Sequence, residues 1–98
     1  IPFKIAVIGL FALTDGIVYC QTFDGRRYAT DQTLEEIERE LDNTFYRANR
    51  QTIIHREAIE EVNRYFARKL LVNPKIKGAE EIIISKAKSQ DFLFWLTR

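Results

Sequence analysis

Apolar residues run almost without a break from Ile5 to Leu13, interrupted only by Gly9. A second strand-like run spans Ile17 to Phe23, and Arg26 to Thr30 supplies a third extended piece. Asp15-Gly16 and Asp24-Gly25 separate these runs. A two-residue type I′ turn needs positive φ at both central positions, which Asp-Gly accepts at little steric cost. The pattern therefore predicts a three-stranded antiparallel meander. The next segment changes period. Leu34, Ile37 and Leu41 fall on one helical face, and Thr33 and Glu36 have capping-box spacing. A helix is expected over 33–42, ended by Asn43-Thr44. Its outer face carries Glu35, Glu36, Glu38, Arg39 and Glu40, a solvated surface unsuited to lying against phosphates.

Beyond the helix, Phe45 to Ile54 mixes apolar anchors with basic and amide groups. Ile53, Ile54, Ile59 and Val62 suggest extended, half-buried chain, interrupted around His55-Arg56-Glu57. Arg68-Lys69 suggests a turn, and Leu70-Leu71-Val72 a short strand ended by Asn73-Pro74. Residues 75–80 read as an exposed loop, and 81–85 as a strand around Ile82-Ile83-Ile84. After Lys88 the pattern turns helical, with Ser85 or Ser89 as its cap. Phe92, Trp95 and Leu96 lie at core spacing, which leaves Phe94 facing away as a possible partner contact. The string is β-β-β-α-β-β-β-β-α, without βαβ alternation. That topology, with no GxGxxG or GxxxxGK[ST], argues against a Rossmann or P-loop nucleotide site.

Ninety-eight residues, 46% hydrophobic, suffice for one domain with a modest core. Formal net charge is +1, yet the charge is split along the chain. Residues 1–46 carry four basic and eight acidic side chains, a net of −4; residues 47–98 carry eleven and six, a net of +5. A polyanionic partner is thus expected to meet the second half. The single cysteine, Cys20, neither staples the fold nor forms a CxxC site. No apolar run approaches the ~20 residues of a bilayer span, and no signal peptide is evident, so a cytoplasmic location is expected. Methionine is absent even at position 1, which predicts a piece of a longer protein.

Catalysis finds little support. His55 is the only histidine and sits at a strand end, and Cys20 lies in an alternating strand. The paired carboxylates Glu35/Glu36 and Glu60/Glu61 are sequence neighbours with nothing to oppose them across a pocket. No enzyme activity, metal, cofactor or small-molecule substrate is expected. Nucleic-acid chemistry fits better. Arg47, Asn49, Arg50, Gln51 and Thr52 form one polar cluster beside apolar anchors, and Ser85, Lys86, Lys88 and Ser89 form another. Arg and Lys neutralise phosphate or donate to guanine, and Asn and Gln pair with adenine. Two roles are open to Arg47: a phosphate contact, or an internal pair with an acid such as Asp42. The start of the last helix suits phosphate through Lys88, Ser89 and the helix amides.

These residues give the chain a resemblance to the LytTR DNA-binding domain, the effector module of one class of bacterial response regulators. The family's pattern is a helix, then Phe-x-Arg-x-His-Arg-Ser, then a hydrophobic strand; here it reads Leu34 to Leu41, then Phe45-Tyr46-Arg47-Ala48-Asn49-Arg50-Gln51, then Thr52 to His55. The family's Val-Ser-Arg before the last helix is matched by Ile84-Ser85-Lys86, and Ile1-Pro2-Phe3 fits the family's start. The resemblance implies a mainly β fold, an elongated packing of short antiparallel sheets with two or so short helices. It implies sequence-specific binding of promoter DNA by loops inserted in the major groove, often as a second copy on repeated half-sites. It further implies transcription regulation in a two-component phosphorelay, with an upstream receiver domain. Carried over, the base-reading positions are Asn49, Arg50 and Lys86, with loop contacts at Asp15, Gly16 and Ile17. Arg47, Gln51, Thr52, Ser85, Lys88 and Ser89 contact phosphate or position the chain. Three positions depart from the family. Asp15 makes the first loop acidic, suited to cytosine and not to phosphate. Asn49 stands for His, and Lys86 for Arg, which removes a bidentate fork. The competing class is a β-rich protein-interaction domain that uses exposed Tyr65, Phe66 and Phe94.

Overall fold

In the computed structural model, which describes residues 7–98, Asp15 and Gly16 both adopt positive φ (52° and 81°). They close the expected tight turn between β1 (Ile8–Thr14) and β2 (Ile17–Thr22). β3 (Arg27–Thr30) completes the meander, pairing Val18 with Thr30 and Gln21 with Arg27. Ile1-Pro2-Phe3, part of the family pattern, lies outside the described residues.

The segment 45–54 departs from the expected string. It is not one extended piece but a hairpin, β4 (Phe45–Asn49) and β5 (Thr52–His55), with Arg50-Gln51 at its tip. Five strands therefore follow the first helix, not four. β5 pairs with β1 (Leu10 opposite Ile54, Ala12 opposite Thr52), so the sheet order is β3-β2-β1-β5-β4. The central position of β1 explains its apolar run, because both faces are covered. Phe11, Val18, Cys20, Phe45 and Ile53 join one core cluster, and Leu10, Ala48 and Ile54 join the other. Gly9 permits close approach on β1, since a Cβ there would lie 2.4 Å from Ile76 Cδ1. Ile76 is itself buried, so the loop over 75–80 is anchored at this point and is not wholly exposed.

On one face lies α1 (Leu34–Glu40). Its capping box forms as the sequence predicts, with Glu36 N–H donating to Thr33 Oγ1 at 3.1 Å and Thr33 N–H to Glu36 Oε1 at 2.8 Å. Such a cap contributes about 1 kcal/mol. Burial of Leu34 and Ile37 adds about 1.5–3 kcal/mol each. The opposite face meets a second sheet, β6 (Ile59–Arg64), β7 (Leu70–Pro74) and β8 (Ile82–Ile84), in that spatial order. It also meets α2 (Lys86–Leu96). α2 starts two residues before Lys88, with Ser85 as its N-cap residue, so Lys86 and Lys88 belong to its first turn. Phe92 and Trp95 face the core, and the Tyr46 ring packs against both, with centroids 5.5 and 5.0 Å away. Tyr46 Oη donates to Asp91 at 2.6 Å. Burial, then this carboxylate, hold the phenol protonated well above its usual range. The molecule measures 38 × 28 × 24 Å, a mainly β, elongated packing of small antiparallel sheets.

His55 ends β5 with its ring edge-on to Phe45 (4.8 Å) and Phe23 (5.6 Å). Its Nδ1 accepts the Glu57 N–H at 2.9 Å. Burial, with a smaller push from Arg56, lowers the imidazole pKa against the opposing pull of Glu57 and Asp42.

Two outcomes are expected. Phe92→Ala should destabilise by about 3–5 kcal/mol, whereas Phe94→Ala, on a residue 64% exposed, should stay within about 0.5 kcal/mol. Urea unfolding of both variants checks the orientation of α2. A histidine with a depressed folded-state pKa contributes stability at neutral pH that is lost as the imidazole protonates. Stability should therefore fall from about pH 7 to about pH 5, and His55→Gln should remove that slope in urea midpoints measured across the range.

Candidate nucleic-acid interface

The β4–β5 tip has no glycine and no positive φ; side chains hold it instead. Asn49 Oδ1 accepts the Gln51 N–H at 2.8 Å, an Asx-type turn. Arg47 provides the rest. Its Nε donates to Asn49 O (2.8 Å) and its Nη2 to Arg50 O (2.8 Å), binding both tip carbonyls. The same guanidinium reaches Glu38 (3.0 Å) and Glu35 (3.2 Å) on α1. Of the two roles open to Arg47, the structure displays an internal pair, made with these glutamates and not with Asp42. Asp42 accepts from Thr44. Glu35 is held below the usual carboxylate range first by its backbone N–H and then by Arg47.

A β-bulge sets the directions. The register shifts between Arg47 (opposite Ile53) and Asn49 (opposite Thr52). Strict alternation would put both side chains on one face. With the extra residue, Arg47 reaches α1 while Ala48 and Asn49 both face the second sheet. There Asn49 Nδ2 donates to Ile83 O at 3.1 Å. The amide keeps one proton and one lone pair for other contacts.

These bonds gather three loops. Leu13 N–H donates to Gln51 O at 2.8 Å, so the Asp15-Gly16 turn stands beside the Arg50-Gln51 tip. The Asn49–Ile83 bond ties that tip to the β8–α2 junction, and Lys88 Nζ donates to Arg47 O at 3.3 Å. A cleft of about 310 Å³ separates Arg50 from Gly16, Ile17 and the start of α1. Another, of about 470 Å³, separates Asn49 and Gln51 from residues 78–83.

Each predicted residue can now be placed. Asp15, Gly16, Ile17, Arg50, Gln51, Ser85, Lys86 and Lys88 are exposed at this end, and Ser89 is half-buried with its hydroxyl on Lys86 O at 2.9 Å. Thr52 is buried beneath the tip. Arg50 and Lys86 have no ion-pair or hydrogen-bond partner for their side chains among the described residues. The Ser85 side chain makes no cap bond; the Lys88 N–H donates to Ser85 O at 3.1 Å, which leaves the Lys86 and Ala87 amides open to an acceptor. The hairpin itself escaped sequence reasoning; the Asx-turn tendency of Asn49 ahead of Arg50-Gln51 was the available signal.

The β frame thus carries basic and amide groups on three loops at one end. The LytTr DNA-binding domain family model matches residues 1–97, and the chain belongs to that family. Its family is thus one of DNA binding and not of catalysis. Among solved structures, the chain is similar to the LytTr DNA-binding domain of a Bacillus cereus protein described as a methyl-accepting/DNA response regulator. That match has a TM-score of 0.81 at 17% identity and covers 100% of this chain and 88% of the other. No curated protein matches. Among the described residues no helix is long and apolar enough to cross a membrane.

Arg47→Lys keeps the charge and loses the fork. Amide hydrogen exchange at Gln51 and Thr52 should accelerate, while global stability falls by about 1–2 kcal/mol. Unchanged exchange at the tip would show that Arg47 does not hold it.

Proposed function

We propose that this domain binds a specific promoter sequence in double-stranded DNA and regulates transcription, as the output domain of a bacterial, cytoplasmic two-component response regulator. The observation that carries this reading is the gathering of three loops at one end, where Arg50 and Lys86 stand unpaired among the described residues. The loops enter the major groove. Arg50 and Lys86 donate to base edges, guanine above all, and the remaining amide valences of Asn49 suit adenine. Gln51, Ser85, Lys88, Ser89 and the α2 amides take phosphate oxygens. Arg47 and Thr52 act on the duplex through the tip they support. Asp15 favours a cytosine amino group beside the turn and keeps that turn off the phosphates. A second copy occupies a repeated half-site, and an upstream receiver domain, phosphorylated on Asp, controls occupancy.

A protein-interaction role draws on Phe94, which is 64% exposed on the outer face of α2. Salt separates the two readings, because DNA affinity falls steeply with ionic strength and an apolar interface is nearly indifferent to it.

Selection from random genomic fragments, followed by sequencing, should enrich a repeated motif. On that motif Arg50→Ala and Lys86→Ala should each weaken binding by about 1–3 kcal/mol and relax discrimination at one position. If the double variant shifts the selected fragment as well as the parent protein does, the base-reading assignment fails.

A further inference from the structure

The sequence gives Arg68-Lys69 only as a turn. In the structure this turn stands next to the proposed DNA-facing end. β7 pairs with β8 with Leu70 opposite Ile84, which brings Lys69 beside Ser85 and the start of α2. The turn Phe66–Arg68 lies against α2. Its backbone is unusual. Ala67 (φ 59°) and Arg68 (φ 63°) are consecutive left-handed residues, and neither is glycine. Side-chain-bearing residues resist this conformation. It persists because Tyr65 N–H donates to Lys69 O (2.9 Å) and Lys69 N–H to Phe66 O (3.2 Å). Strained backbone of this kind concentrates at functional sites.

The turn also concentrates charge. Arg64 and Arg68 are exposed, and no acid pairs with either among the described residues. Lys69 places its ammonium 4.8 Å from the centre of the Phe66 ring. The Phe66 ring packs at a 54° tilt against Tyr65, centroids 4.6 Å apart, which stiffens the support of that lysine. The acids of β6, Glu60 and Glu61, sit toward the other end of the strand, Glu61 opposite Asn73.

We infer that the β6–β7 turn is a fourth DNA-contacting element, in which Arg68 and Lys69 bind duplex phosphates on the flank of the groove met by Lys86. The inference rests on the DNA-binding reading and extends it. The turn stands beside the three loops that enter the groove and not among them, so its cations meet the backbone and add affinity and orientation without sequence preference.

The test is the double variant Arg68→Asn/Lys69→Gln. Asparagine tolerates the left-handed conformation, so the charge is removed without added strain. The 98-residue chain is titrated against the selected fragment and a scrambled duplex across a salt series. Each phosphate contact contributes a slope near −0.9, roughly fivefold in affinity at 0.15 M salt. The double variant should lose about 25-fold on both duplexes and flatten the slope by about two units. Arg68→Lys/Lys69→Arg should retain most of the affinity. Equal affinity and slope for variant and parent overturn the inference and leave the three-loop reading standing. A parent protein that binds neither duplex overturns both, and a loss confined to the selected fragment overturns the phosphate assignment.

Discussion

One planar guanidinium fixes the shape of the end of this protein at which three loops gather. Arg47 binds the carbonyls of Asn49 and Arg50 and the carboxylates of Glu35 and Glu38 at once. The carbonyls of a turn must find donors in backbone, side chains or water, and here a fork fixed to a helix supplies them. The tip is thereby anchored to α1, which the Thr33–Glu36 box and the burial of Leu34 and Ile37 hold in turn. The two carboxylates more than offset the charge of Arg47, so the positive charge that the tip presents outward is that of Arg50.

The five-stranded sheet makes this arrangement possible because both of its faces are used. α1 covers one, and the second sheet with α2 covers the other. A side chain on β4 can therefore reach either layer, and the bulge at Ala48 lets consecutive polar residues reach both. Arg47 secures the tip to the first layer and Asn49 to the second. DNA recognition by loops demands such bracing, since a flexible loop loses affinity to the entropy of its own ordering.

Much of this was legible in the chain. Two Asp-Gly pairs marked the meander, Thr33 and Glu36 marked the start of α1, and the spacing of Phe92 and Trp95 marked the buried face of α2. The motif from Phe45 to Gln51 pointed to its family. The β4–β5 turn was not legible, because its stabilising partners are a guanidinium within the strand and an Asx bond instead of a glycine. The start of α2 was placed late, because Ser85 sits at the cap without using its hydroxyl. Arg47 looked ambiguous, because spacing lists the acids near in sequence, and those that pair with it come from the helix before.

The sequence by itself determined the periods of burial, the helix cap, the glycine turn and the supply of cations in the second half. These are local properties, set by side-chain volume, φ preference and charge. Tertiary structure alone decided which cations stay free. Arg47 and Arg50 are three residues apart and chemically identical, yet one is enclosed by glutamates and the other is not. A one-residue bulge and the crossing of α1 separate them, and neither is encoded in any single stretch of chain.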